Sequence, residues 1–219
     1  MNNRLNFQHS IDDLQNELLD LGSMVENSIH QAVEALTRLD TDLARRTVED
    51  DDAVDELTLR IEEMCLKLIA LQQPMAGDLR IIGTALSIAT DLERIADHAV
   101  DIAKITIRLS GETLAKELID IPQMAEISKE MLRESLVAYM NRNVHMAASL
   151  AEKDDQVDKI FSRIMTDVIG MMNADFTRNR QLTHLIMVAH YLERVADHVT
   201  NIGESVIYMV TGKRKDLNV

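Results

Sequence analysis

A seven-residue block occurs twice in this chain of 219 residues, and this internal repeat constrains the fold more than any other feature. The block reads Leu-Glu-Arg-Ile-Ala-Asp-His over residues 92–98, and it returns 100 positions later, over 192–198, with Val in place of Ile. Two upstream segments, 51–55 and 154–158, also match each other, at an offset of 103. The change of offset indicates that the copies differ in the length of one loop. The chain therefore contains two related units.

Helices account for both units. Two prolines and seven glycines are too few for the many turns of a strand-rich protein. Apolar residues recur at alternating spacings of three and four, which predicts helices over 7–39 and 41–72 and a third ending near Gly111. Pro74 ends the second helix, because proline disfavours helix in the residue before it. We predict an all-α fold of two tandem, pseudo-symmetric three-helix bundles, which span residues 1–112 and 113–219.

Each predicted helix has an apolar seam, meaning the line of residues that faces its neighbours. The seam of the second helix runs from Val54 to Leu71, and that of the third from Leu79 to Ile107. The second unit repeats this plan, with Pro122 suited to the first turn of its first helix.

Acidic residues occupy seam positions that should be apolar. The three-and-four alternation leads forward to Glu93 in the third helix and back to Asp51 in the second. The same arithmetic places Asp154 and Glu193 in the seams of the second unit. Each of these four has another acid four residues later, on the same face of its helix. The eight carboxylates are Asp51, Asp55, Glu93, Asp97, Asp154, Asp158, Glu193 and Asp197.

Hairpin geometry brings these acids together. Asp55 and Glu93 lie nineteen residues on either side of Pro74, and the outer pair of acids lies twenty-three residues away. An antiparallel hairpin that turns at this proline therefore places the acids level with one another. The corresponding turn of the second unit falls near Asp175. The sequence thus predicts one cluster of four carboxylates in each bundle.

Carboxylates in a partly buried seam need neutralisation, because each desolvated ion costs several kcal/mol and like charges add to that cost. Protonation, salt bridges to Arg or Lys, and a bound metal ion are the three alternatives. Salt bridges are disfavoured, because Arg94 lies about 100° around the helix from Glu93. Bound metal is favoured. Oxygen ligands suit Mg²⁺, Mn²⁺ or Ca²⁺, whereas iron or zinc would be helped by a histidine.

Two histidines follow the repeated acids directly. His98 and His198 lie five residues after a Glu, about 140° around the helix, so we expect them at the surface or supporting a ligand rather than binding metal. Asp101 and Asn201 continue the acidic row by one turn and could extend each site. Cys65 is expected to be a small buried residue rather than a nucleophile.

Composition excludes several classes of function. A net charge of −14 disfavours nucleic acid as the partner, because binding to phosphates needs clustered Lys and Arg. A single cysteine allows no intramolecular disulfide, which favours a reducing cytoplasm. We expect neither a signal peptide nor a membrane span.

The chain resembles the PhoU family, accessory regulators of bacterial phosphate transport. The resemblance lies in Leu-Gln-Gln-Pro at 71–74 followed by Asp-Leu-Arg at 78–80, and in the blocks 92–98 and 192–198. It implies two similar three-helix bundles whose paired acids bind metal clusters, with iron, zinc, manganese or magnesium as the ion. The ligand role would fall on all eight carboxylates named above. The family often has Gly where this chain has Ala96 and Ala196.

The resemblance also implies a function. The protein would be no enzyme but a cytoplasmic negative regulator of the phosphate starvation response and a modulator of phosphate transport. As a metal-binding adaptor it would connect the ATPase subunit of the phosphate ABC transporter with the sensor histidine kinase, peripheral to the inner membrane through these partners. A homodimer is expected. The alternative is a carboxylate-bridged metalloenzyme of di-iron type or a metal store, against which the missing Glu-x-x-His motifs weigh.

Overall fold

The structure, a computed structural model, describes residues 2–217, and the side chains of all of these except 2–6 and 72. The described chain forms helices joined by short connections, which confirms the predicted all-α fold. The helices are α1 (Asn2–Arg38), α2 (Thr41–Glu49), α3 (Asp51–Gln72), α4 (Ala76–Arg108), α5 (Asp120–Asn141), α6 (Val144–Ala174) and α7 (Asn179–Thr211), with a short 3₁₀ turn at Phe176–Arg178.

The predicted second helix is present in two pieces. Asp50 separates α2 from α3 while keeping right-handed helical dihedral angles (φ −69°, ψ −14°), and its N–H donates to the Arg46 carbonyl at 2.8 Å. The corresponding helix of the second unit, α6, runs unbroken through Asp154. The six predicted helices therefore exist, and this interruption is one difference between the two copies.

The two predicted hairpin turns are confirmed. In the first unit α3 ends at Gln72, Gln73 adopts a left-handed conformation (φ 45°), and α4 starts beyond Pro74. In the second unit α6 ends next to Asp175, whose carboxylate accepts the Thr177 N–H at 3.0 Å and so caps the 3₁₀ turn.

The helices pack in two layers. Within the described residues, contacts between neighbours run in the order α3, α4, α7, α6, which makes a row of four helices. Helix α1 packs on α3 and α4, α5 packs on α7 and α6, and α1 also contacts α5. Helix α2 packs on α4 and α1. The second layer thus covers one face of the row, and the central pair α4 and α7 joins the two units.

One continuous hydrophobic core runs through both units. The seam of α1 is fully buried from Leu14 to Leu36, and Cys65 is buried as predicted. Two seam positions were wrong: Leu71 is 76% exposed and Leu79 is 46% exposed. Both lie beside the turn at Pro74, where the hairpin ends and leaves side chains in solvent. The predicted boundary between residues 112 and 113 falls in the connection from α4 to α5, and the division of the chain into two domains at this position stays a prediction.

No helix within residues 2–217 has both the length and the apolar character that crossing a bilayer requires.

Gly203 on α7 marks a close approach between helices. A Cβ atom at this position would lie 2.9 Å from the Ala147 carbonyl oxygen of α6 and 2.9 Å from Leu150 Cδ1. We expect Gly203→Ala to lower the free energy of unfolding by about 1–2 kcal/mol, because overpacking outweighs the gain in helix propensity. Urea denaturation followed by circular dichroism measures this change.

Gly83→Ala is the matched control. A Cβ atom at Gly83, within α4, meets no neighbour within 4 Å. This substitution should therefore raise the free energy of unfolding by up to about 1 kcal/mol. Equal effects of the two substitutions would contradict the close packing of α6 against α7.

Candidate functional site

The structure places the eight predicted acids as two groups along the row of four helices. The first cluster, on α3 and α4, consists of Asp51, Asp55, Glu93 and Asp97; the second cluster, on α6 and α7, consists of Asp154, Asp158, Glu193 and Asp197. Members of each cluster repel one another electrostatically across their hairpin. In both units the hairpin therefore brings acids from its two helices within electrostatic range, as their spacing around the turn predicts.

Burial and repulsion alter the first cluster. Partial burial, followed by the negative charges of Asp55 and Asp97, raises the pKa of Asp51 from 3.8 to about 6. Burial also raises the pKa of Glu93, with Asp97 and Asp55 adding to the shift and Arg94 opposing it. The side chain of Asp55 is exposed, and that of Asp97 is 47% exposed. This cluster thus has two half-buried members and reaches the solvent through the others.

The second cluster is more deeply buried. Asp154 is 8% exposed, and burial, followed by repulsion from Asp158 and Asp197, raises its pKa to about 7. The pKa values of Asp158 and Glu193 are raised by burial as well. Glu193 Oε2 lies 3.2 Å from His190 Nδ1 but forms no hydrogen bond, so a buried carboxylate oxygen lacks a hydrogen-bond partner. This cluster has the larger unmet need for a positive charge.

Arginines neutralise part of each cluster. Arg94 binds Asp97 at 3.1 Å, and Arg194 binds Asp197 at 2.6 Å. The expectation that salt bridges contribute little was therefore wrong for one member of each cluster. The angle between Arg94 and Glu93 excludes only that pair, because residues three apart on a helix are neighbours. Repetition of the same ion pair in both units makes it a feature of the repeat.

The donor chemistry of both clusters fits a hard cation. Four carboxylates supply oxygen ligands of the kind that Mg²⁺, Mn²⁺ or Ca²⁺ prefers, and the buried Glu193 oxygen that lacks a hydrogen bond points to the same need. Among residues 2–217, however, no three Asp, Glu, His or Cys side chains are arranged around one common point as ligands of an ion. Metal ligation by the eight acids therefore stays a prediction, and binding would require side-chain rotations.

The two histidines lie between α4 and α7. The ring of His98 stacks on Tyr191 with centroids 5.6 Å apart, and it lies at the same distance from the ring of His198. Burial, followed by the neighbouring His198, lowers the pKa of His98 to about 4. His198 Nδ1 lies 3.0 Å from Asp91 Oδ1, and since a carboxylate only accepts, the imidazole donates. Both rings are thus used in the contact between the central helices.

Asp91 and Tyr191 are the residues that sequence reasoning missed. They occupy equivalent positions of the repeat, 100 residues apart, and each contacts the histidine of the other unit. One contact is a hydrogen bond and its symmetry mate is a ring stack. The sequence does contain a signal for these contacts. Residues that lie level on two antiparallel helices have numbers with a constant sum, and 91 and 198 have the same sum as 98 and 191.

The raised pKa values predict how the metal-free protein depends on pH. The folded chain keeps protons on Asp51 and Asp154 up to about pH 6 and 7, whereas the unfolded chain releases them near pH 3.8. Stability therefore falls as the pH rises through this window. In the presence of chelator, we expect Asp154→Asn to raise the free energy of unfolding by about 1–2 kcal/mol at pH 8 and by much less at pH 4.

Glu152→Gln provides the control for this measurement. Glu152 is exposed on the same helix, and its substitution changes the net charge by the same amount. Urea denaturation at pH 4, 6 and 8 should show an unchanged pH dependence for this variant. A pH-independent effect of Asp154→Asn would show that Asp154 is not held protonated by the fold.

Comparison with known proteins agrees with the two-unit organisation. The family model described as the PhoU domain matches the chain twice, over residues 18–106 and 121–206. A phosphate-specific transport system accessory protein PhoU homolog of Clostridium acetobutylicum is 42% identical over 213 residues, which is 97% of this chain and 97% of that protein.

Two solved structures share the fold. The crystal structure of PhoU from Pseudomonas aeruginosa superposes with a TM-score of 0.89 at 32% identity, covering 94% of this chain and 100% of that one. The crystal structure of the phosphate transport system regulatory protein PhoU from Streptococcus pneumoniae gives a TM-score of 0.88 at 32% identity, with 96% and 99% covered. From the repeated domain match and the identity along nearly its whole length, the chain belongs to the PhoU family.

Proposed function

We propose that this protein is a negative regulator of the phosphate starvation response that also modulates phosphate transport. It acts as a metal-binding adaptor between the ATPase subunit of the phosphate ABC transporter and the sensor histidine kinase. The observation that carries the proposal is the 42% identity, along 97% of both chains, with a protein named as an accessory protein of phosphate-specific transport. Membership of this family agrees with the prediction that the chain is no enzyme. The names of the same relatives support association with the transport system.

The layered fold suits an adaptor. Helices α1 and α5 cover one face of the four-helix row, while α4 and α7 each keep one strip of side chains in solvent on the other side. Those strips include Asp97 and Asn201 and carry the edges of both acidic clusters. A broad charged face of this kind fits recognition of basic protein surfaces better than catalysis on a small molecule.

Bound cations would serve this face in two ways. They would offset the repulsion within each cluster, which raises the pKa values of Asp51 and Asp154. They would also fix the spacing of α3 from α4 and of α6 from α7. When bound, the ion supplies positive charge, and iron, zinc, manganese and magnesium are the candidates. Glu193, whose Oε2 is buried without a hydrogen bond, would contribute most directly.

The alternative of a di-iron metalloenzyme or metal store receives little support. Imidazole ligands favour iron in such bundles. Here His98 stacks on Tyr191 and His198 binds Asp91, so these two rings face the contact between the central helices. The ring of His190, by contrast, lies beside a cluster carboxylate, that of Glu193. The adaptor hypothesis needs no such ligand. The homodimer expected from the resemblance stays a prediction.

Metal content tests the role of the clusters. We expect protein purified without chelator to retain metal, and the quadruple variant Asp51→Asn, Glu93→Gln, Asp154→Asn and Glu193→Gln to lose at least about tenfold in affinity, because each cluster keeps only two carboxylates. Elemental analysis and titration with Mn²⁺ measure both quantities. Neutral isosteres keep the shape and remove repulsion, so the variant should fold.

The matched control replaces four exposed acids, Asp52→Asn, Glu56→Gln, Asp155→Asn and Glu152→Gln, on the same helices. Its net charge changes equally, so a general electrostatic effect would appear in both variants. Metal content that is the same in the two variants would remove the clusters as ligands. The identity of retained metal would separate a redox ion from a structural one.

Phosphate-dependent repression tests the regulatory role. In a host lacking its own copy of this gene, the wild-type chain should restore repression of phosphate-starvation genes in high phosphate. We expect Glu93→Ala with Asp97→Ala to relieve that repression, because the first cluster loses the two acids contributed by α4. A transcriptional reporter measures repression, and immunoblotting checks that the variant accumulates.

Capture of the transporter ATPase from lysate provides an independent readout. The adaptor hypothesis requires that the wild-type chain retain this subunit. Full repression by a stable Glu93→Ala, Asp97→Ala variant would make the first cluster dispensable for signalling, while loss of ATPase capture by the wild type would overturn the adaptor role itself.

A further inference from the structure

The segment after α7 folds back onto the molecule. We call residues 212–217 the strap. Gly212 ends the helix in a left-handed conformation (φ 70°), and its N–H donates to the Tyr208 carbonyl at 2.8 Å. The Lys213 N–H then donates to Thr211 Oγ1 at 3.1 Å, which holds the reversal of the chain. The strap therefore leaves the helix through a defined turn.

The strap is anchored at its far end. The Leu217 N–H donates to Glu204 Oε1 at 2.8 Å, and the Leu217 side chain packs against the core. A Cβ atom at Gly203 would lie 3.3 Å from Leu217 Cδ1, so the glycine leaves room for this side chain. The equivalent position of the first unit is Ala103. The notch that receives Leu217 is thus particular to the second unit.

The strap crosses a groove between the central helices. The groove has a volume of about 640 Å³, and Ser87, Asp91, Glu204 and Tyr208 line its helical side, while Arg214 and Lys215 line the side of the strap. This volume lies in the range of specific binding sites. The strap and the helices thus line an open volume, so space remains for other side chains.

Charge differs between the two sides of this groove. The helices contribute two carboxylates, Asp91 and Glu204, whereas the strap contributes two cations, Arg214 and Lys215, together with the carboxylate of Asp216. The guanidinium of Arg214 also lies 5.8 Å from the centroid of the Tyr208 ring. Residues 212–216 are exposed, so a single aliphatic side chain and a few polar contacts hold the strap. A segment held this lightly can be displaced by a competitor of the same chemistry.

We propose that the groove between α4 and α7 is a docking site for a basic segment of a partner protein that carries an aliphatic residue. The strap occupies this site in the free chain and so lowers its apparent affinity. The inference goes beyond the proposed function, because it needs neither bound metal nor an intact acidic cluster. Failure of the metal experiment would leave it standing, and the converse also holds.

A fluorescein-labelled peptide of sequence Gly-Lys-Arg-Lys-Asp-Leu, which copies the strap, tests this proposal by fluorescence anisotropy. The full-length variant Leu217→Asp loses the anchor and faces Glu204 with a like charge. It should bind the peptide at least tenfold more tightly than the wild type, because the competing strap is released. Adding Glu204→Gln should weaken that binding about tenfold, and raising the salt concentration should weaken it further.

Two controls keep the experiment decisive. Arg214→Glu with Lys215→Glu releases the strap without touching the core and should reproduce the effect of Leu217→Asp. Leu66→Asp makes the same type of change at an exposed position of α3, and this variant should bind the peptide as the wild type does. Equal binding by the wild type and both strap variants, or binding that ignores Glu204→Gln, would overturn the proposal. A peptide with Gln in place of its three basic residues should not bind.

Discussion

The packing of α4 against α7 is the contact on which the rest of the structure depends. These central helices bury side chains on almost every side and join the cores of both units into one. Ala96 and Ala196, at equivalent positions of the repeat, are both fully buried. Because each central helix also forms one side of an acidic cluster, any shift between them would move both clusters. Packing at the centre therefore controls the geometry at both outer hairpins.

The acidic clusters lower the stability of the fold. Two copies of four carboxylates at the edge of a core cost folding free energy, and the fold offsets only part of that cost with Arg94 and Arg194. The remainder appears as raised pKa values, most strongly at Asp154. Natural chains tolerate such a cost where a site needs it. The deeper second cluster bears more of it than the more open first cluster.

Much of the fold follows from local signals. The repeat, the helical periodicity and the spacing around the turns are sufficient to predict six helical segments and both hairpin turns, and the same spacing places acids of neighbouring helices within electrostatic range of one another. Leu71 and Leu79 were wrong because periodicity identifies a helix face but not where its neighbours end. The interruption at Asp50 is marked by no glycine or proline in the sequence, and the dihedral angles of Asp50 remain helical. The pairing of Asp91 with His198 depends on contact between the units, which no property of a single helix encodes.

The unlike contacts at the centre show that the two copies have become specialised for their order. Asp91 meets the histidine of the second unit through a hydrogen bond, and Tyr191 meets the histidine of the first through stacking. Two first units in tandem would place a carboxylate against both histidines, and two second units would place a tyrosine ring against both. Each copy therefore contributes one half of an asymmetric contact. Replacing the sequence of one copy with that of the other would disrupt this contact between the two units.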